Sequence, residues 1–181
     1  MFPIIPANSA ASFPKNDEGI FGFGHLSSGS NYSSLTNLVS NVGVVASDTA
    51  GVGTERYNVA ACEYGGDKGI FGYGYQDIGA SPRYTAMTNL VSNTGVVSSD
   101  VAGVGTARYF PAACSYGGDK GIFGYGEPGP LSITNLVSDT GVVSTDVTGV
   151  GTARYSPAAT EYGGDKGIFG YGNDGSSVVS M

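Results

Sequence analysis

The sequence predicts an all-β chain, a β-propeller of about four four-stranded antiparallel blades, and three observations carry that expectation. A glycine-rich unit, Tyr64-Gly65-Gly66-Asp67-Lys68-Gly69-Ile70-Phe71-Gly72-Tyr73-Gly74, returns unchanged at 116–126 and 162–172 and in altered form at 13–24. Gly19, Gly69, Gly121 and Gly167 mark its successive copies at periods of 50, 52 and 46 residues, a spacing that fits one propeller blade per period. No stretch of ten or more residues has helical periodicity, and glycine is the commonest residue at 31 copies without a collagen period.

The repeat has a rigid part and a variable part. From the threonine of Thr-Asn-Leu-Val-Ser to the last glycine of the next Gly-Tyr-Gly is 38 residues in each full copy, 36 to 74, 88 to 126 and 134 to 172. Length changes only in segments 25–35, 75–87 and 127–133, which hold 11, 13 and 7 residues. A fixed spacing implies packed elements, and a segment free to change length implies a surface loop. The copies run over about 10–59, 60–111, 112–157 and a partial 158–181, one domain of 1–181.

Within the second copy, Ala60-Ala61-Cys62-Glu63-Tyr64 reads as a small-residue inner strand. Gly65-Gly66-Asp67-Lys68 reads as a tight hairpin turn, because glycine accepts the positive φ such turns need. The second strand is 69–74, whose interspersed glycines imply close approach by a neighbour. Strands over 87–92 and 96–99 around Asn93-Thr94-Gly95 form a second hairpin, and 100–109 connects to the next copy.

The array ends unevenly. The last copy stops where Thr-Asn-Leu would follow, and residues 2–6 precede the first copy without a counterpart. The expectation is that residues 2–6 supply the outer strand of the fourth blade and close the ring, with Pro3 and Pro6 tolerated on an edge. The competing expectation is an open ring whose chains join end to end or pair into a larger one, a homo-oligomer.

Charge and composition remove several classes. Fifteen acids against eight bases give a net charge of −7, and the bases Lys68, Arg108, Lys120, Arg154 and Lys166 fall singly at repeat positions rather than in a patch, so nucleic acid is not an expected partner. No segment reads as a signal peptide or a membrane span. Cys62 and Cys114 occupy one position in successive copies, where Ser12 and Thr160 stand in the others, and read as small inward-facing residues rather than a disulfide.

Candidate chemistry is sparse. Asp48, Asp100 and Asp146 precede Arg56, Arg108 and Arg154 by eight residues, which reads as a structural ion pair across each connector, with an anion-binding ring of arginines as the alternative. Asp17, Asp67, Asp119 and Asp165 read as turn residues, since the nonapeptide of calcium-binding repeats is missing. His25, the single histidine, opens a variable loop and is expected in solvent. No nucleophile elbow, phosphate loop or paired-carboxylate pattern stands out, so neither a catalytic residue, a metal nor a cofactor is assigned. Phe71, Phe123 and Phe169 with Ile70, Ile122 and Ile168 are expected core. Tyr73, Tyr125 and Tyr171 are expected in the core rather than in a rim with Tyr32, Tyr75 and Tyr84.

The run Arg108, Ala112-Ala113 and Gly117 to Gly126 resembles the kelch repeat: an arginine, small residues, a hairpin and a strand ending in glycines. Here Tyr125 splits the two glycines, and the kelch tryptophan has no counterpart. The near-identical repeats also resemble repeat proteins of environmental bacteriophages. That resemblance implies a virion-associated protein, a capsid decoration or a tail or fibre component, localised to the virion. Its partners would be other virion proteins or a host-surface glycan or protein. The expected function is thus non-enzymatic binding through the loop face, with His25, Tyr32, Tyr75, Asp77, Arg83, Tyr84 and Glu127 as contact residues. The alternative is an extracellular glycan-binding, lectin-type propeller of cellular origin.

Overall fold

The computed structural model describes residues 17–27, 32–76, 79 and 83–180. Residues 2–6, the segment Ala10-Ala11-Ser12 that aligns in sequence with Ala60-Ala61-Cys62, and Asp77 lie outside the described residues. Among the described residues every regular element is a strand, and all strand pairing is antiparallel.

Four small sheets follow one another along the chain. The first pairs β1 (Gly19–His25) with β2 (Tyr32–Val39). The second has the order β3 (Ala60–Tyr64), β4 (Lys68–Gly72), β5 (Thr88–Val91). The third repeats it with β6 (Ala112–Tyr116), β7 (Lys120–Gly126) and β8 (Leu131–Val137). The last pairs β9 (Ala158–Tyr162) with β10 (Lys166–Gly170). The small-residue strands are the inner ones, β3 packing on β6 and β6 on β9. Alanine and cysteine suit that position because consecutive sheets crowd there.

The expected fourth strand is not a full strand. Segments 44–47, 96–99 and 142–145 touch their sheets by isolated bridges, Val39 with Val45, Val91 with Val97 and Val137 with Val143. Side chains replace the missing ladder. Asn89 donates from Nδ2 to the Ser98 carbonyl at 3.1 Å, Ser98 Oγ accepts from the Leu90 N–H at 3.0 Å, and the Ser98 N–H reaches the Leu90 carbonyl at 2.8 Å. The third copy does the same through Asn135 and Ser144. Those polar bonds satisfy the backbone without strand regularity.

The glycines of the second strand do receive a neighbour. A methyl at Gly72 would stand 2.7 Å from the Phe123 ring, and one at Gly124 would stand 3.0 Å from the Phe169 ring. At Gly22 the nearest Phe71 ring atom would be at 3.0 Å. Each phenylalanine therefore seats in the glycine notch of the preceding sheet. Each also packs edge or tilted against the aromatic beside that glycine, Phe71 on Phe23 at 5.2 Å, Phe123 on Tyr73 at 5.1 Å and Phe169 on Tyr125 at 5.4 Å. Phe71, Phe123 and Ile70 are core as expected, whereas Ile168 in the last sheet is 49% exposed.

Both cysteines are free. A methyl at Gly121 would meet Cys62 Sγ, and one at Gly167 would lie 2.7 Å from Cys114 Sγ, so each thiol fills the space over a glycine of the following sheet. Burial raises both thiols, Cys62 up to about 12.

Candidate binding face

The residues between Gly-Tyr-Gly and the arginine position an inner and an outer layer. Phe23, Tyr73, Tyr125 and Tyr171 hold φ between 61° and 65°, the left-handed region that bulky residues rarely occupy. At Phe23 and Tyr125 the ladder skips a residue, a β-bulge between Gly22 and Gly24 and between Gly124 and Gly126. The bulge turns the aromatic inward, under the arginine that follows in the chain. Arg56 lies over Phe23 at 4.6 Å, Arg108 over Tyr73 at 3.9 Å and Arg154 over Tyr125 at 4.4 Å. A desolvated stack of this kind contributes about 2 kcal/mol, the same order as the cost of the strained φ.

The three arginines are almost wholly buried, which closes off the anion-ring alternative. Their acid partners also differ from the sequence expectation. Arg56 meets Asp100 of the next copy at 3.5 Å, not Asp48 eight residues before it. Asp48 instead accepts from Asn37 at 2.8 Å. Asp100 is held by Asn89 Nδ2 at 2.9 Å, the Thr54 hydroxyl at 2.8 Å and the Thr54 N–H. Burial works to raise the Asp100 carboxyl, but those hydrogen bonds and the Arg56 charge outweigh it and leave the pKa below the ordinary value. Asp146 binds Thr106 and Asn135 in the same way and acts on Arg108 through its charge. Thus the ionic clamp joins one repeat to the next.

Because side chains alternate along an extended chain, the residue after each buried arginine faces outward. Tyr57 and Tyr75 exchange backbone bonds of 3.0 and 2.9 Å, as Tyr109 does with Glu127 and Tyr155 with Asn173. These pairs build a row of half-buried rings on the face that carries the variable loops. Tyr32 stacks on Tyr57 at 4.8 Å, and His25 stands 5.5 and 5.6 Å from those two rings. Tyr57 continues to Tyr75 at 5.1 Å, Tyr75 to Tyr109 at 5.6 Å, and Tyr84 stacks on Tyr109 at 6.2 Å. Phe110 extends the row from Tyr109 to Tyr155 at 5.1 and 6.2 Å.

Of the residues named from sequence, His25, Tyr32, Tyr75, Tyr84 and Glu127 come together on this face. Arg83 is exposed beside it, its carbonyl accepting from the Gln76 N–H at 2.6 Å. Sequence reasoning missed Tyr57 and Tyr155 and left Tyr109 in a connector. The repeated Arg-Tyr dipeptide at 56–57, 108–109 and 154–155 was the available signal. Tyr73 and Tyr125 are core, while Tyr171 is 62% exposed.

The row has its own electrostatics. Burial, then the neighbouring Tyr32 and Tyr75, raise the Tyr57 phenol. A hydrogen bond to Glu127, then burial, push Tyr109 up to about 12. Because that folded value lies above the ordinary 10, the stabilisation is fully present below about pH 10 and is lost as pH rises through about 12. An ultraviolet difference titration is expected to show Tyr109 among the tyrosines that ionise late, and Glu127→Gln to move one of those late ionisations to lower pH; an unchanged profile would exclude the bond.

No family model and no curated protein matches the chain. Among solved structures the chain is similar to the structure of YjhT, with a TM-score of 0.62 and 13% identity over 83% of this chain and 48% of that one. The likeness is one of fold. The chain spans about half the length of that solved chain. Among the described residues no helix is long and apolar enough to cross a membrane, and no group of three or more His, Cys, Asp or Glu side chains is placed to hold a metal ion.

Proposed function

We propose that this chain is a kelch-like propeller protein that binds, without catalysis, through the face bearing its variable loops. The observation that carries the proposal is the unbroken aromatic row from His25 and Tyr32 to Tyr155 on that face. Half-buried tyrosines offer rigid apolar area with a polar tip at small entropic cost, which is what binding surfaces use. Repetition of the Arg-Tyr unit supplies several similar contacts, so weak individual contacts add as avidity.

The setting we propose is a virion, where the partner is another virion protein or a host-surface glycan or protein. The near-identical repeats and their resemblance to bacteriophage repeat proteins support that setting. The glycan reading in a cellular protein draws on the same rings, because sugars present flat apolar faces to tyrosine. The deciding experiment compares the native chain with Tyr57→Ala, Tyr109→Ala and a chain whose 75–87 segment is a short Gly-Ser link. Retention on host cells and on a sugar array is measured for each. Each single substitution is expected to weaken binding about tenfold or more, with the fold unchanged by circular dichroism. Retention by all three variants would sink the proposal, and binding to the sugar array without particle association would favour the glycan reading.

A further inference from the structure

Three kinds of contact join the second sheet to the third and the third to the fourth, the first kind also joins the first sheet to the second, and each kind runs in one direction. A phenylalanine of the later sheet seats in the glycine notch of the earlier one: Phe71 at Gly22, Phe123 at Gly72, Phe169 at Gly124. The small side chain of an inner strand covers a glycine of the next sheet, Cys62 over Gly121 and Cys114 over Gly167. A turn N–H donates to the carbonyl of the next turn aspartate, Gly65 to Asp119 and Gly117 to Asp165, both at 2.7 Å.

The same contacts leave one unmatched half at each end of the array. At the last sheet, no described atom lies within 4 Å of where a Gly170 methyl would stand, and Tyr171, which should lie under the next phenylalanine, is 62% exposed. By repeat position Thr160 corresponds to Cys62 and Cys114, and the Gly163 N–H to those of Gly65 and Gly117. At the first sheet the counterparts are Phe21, 65% exposed where Phe71 is 3% and Phe123 is 0%, together with Gly19 and the Asp17 carbonyl. Every knob on one end therefore has its socket on the other. Among the described residues the two ends do not meet, since Phe21 and Tyr171 are both open to solvent.

We infer that a second copy of this chain packs head to tail on the first, Phe21 of each copy seating against Gly170 and Tyr171 of the other. A heterologous contact of this kind closes when a twofold rotation brings both pairs of ends together. Two copies of the aligned region would together span about the length of the solved chain of similar fold, since 83% of one copy covers 48% of it. This inference is independent of what the aromatic row binds, and its test reads mass rather than ligand.

The experiment is analytical ultracentrifugation of the native protein, Phe21→Ser and Gly170→Leu over about 1–100 µM. Both substitutions sit at open positions of the single chain, where Gly170 has room for a side chain, so both are expected to keep the native circular dichroism spectrum. The native protein is expected at twice 18.3 kDa, and each variant to need at least about tenfold more protein to dimerise. A native monomer across the whole range would overturn the inference, and that result combined with a lowered melting temperature in both variants would show closure within one chain. A dimer that neither substitution weakens would overturn it as well.

Discussion

Phe123→Ala is expected to lower the unfolding free energy by about 3–5 kcal/mol, the range for deleting a fully buried aromatic. The ring is wholly buried, it fills the notch at Gly72, and it packs on Tyr73 at 5.1 Å. Truncation empties the notch and leaves the strained Tyr73 without its cover, so two terms add. The converse change tests the same contact from the other side. Gly72→Ala places a methyl 2.7 Å from the ring, where neither partner has free space, and overpacking of this kind costs about 1–3 kcal/mol. Combining Gly72→Ala with Phe123→Leu is expected to recover part of that loss, a coupling of about 0.5–3 kcal/mol in a double-mutant cycle followed by urea denaturation. Strict additivity would show that the ring does not seat in the notch.

Arg56→Ala is the second large effect, expected at about 3–5 kcal/mol. The guanidinium is fully buried, stacked on Phe23 and donating through Nη2 to Asn89, while Asp100 supplies the charge across the joint. Losing it removes the ion pair and the stack together and leaves the Asn89 oxygen without its donor. Lysine is not expected to rescue, because it has neither the planar fork nor the face that stacks. The pH dependence follows from Asp100, whose pKa is depressed in the folded chain. A depressed carboxylate contributes stability that is present above its unfolded value near 3.8 and is lost as pH falls below it. The Arg56→Ala variant is expected to lose less on acidification than the native protein. An equal acid loss in both, measured by urea midpoints from pH 7 down to about pH 3, would mean that Arg56 contributes nothing to Asp100.

The two substitutions act at the joints between repeats, so their effect on unfolding depends on how far the array behaves as one unit. Each sheet buries its faces only against its neighbours, and an array of this kind gains cooperativity from the interfaces rather than from any one sheet. Phe123 and Arg56 are both interface residues. Their loss is expected to broaden the transition as well as shift it.

Much was legible in the sequence by itself. The period, the invariant 38-residue spacing and the glycine-rich hairpin located the strands, and glycines within a strand announced that something must approach closely there. Small residues at 60–62 and 112–114 marked the crowded inner strands, and the cysteines of the two middle copies, Cys62 and Cys114, were correctly read as packing. What the sequence could not decide was every choice between copies. In an array each Asp-to-Arg spacing recurs with the period, so eight residues within a copy and 44 residues between copies were equally available, and only the stacking of sheets selected Asp100 for Arg56. Tyr73 was expected in the core and Tyr75 on the outer face, and both are found there, but by a route that alternation does not supply. Parity alone puts Tyr73 and Tyr75 on the same face, whereas the positive φ at Tyr73 turns that ring into the core beneath Arg108 and leaves Tyr75 in the outer row. The sequence determined the repeat, because a repeat is a local pattern. The tertiary structure decided which copy touches which and which rings face outward, because those depend on backbone twist and on packing between segments about 50 residues apart.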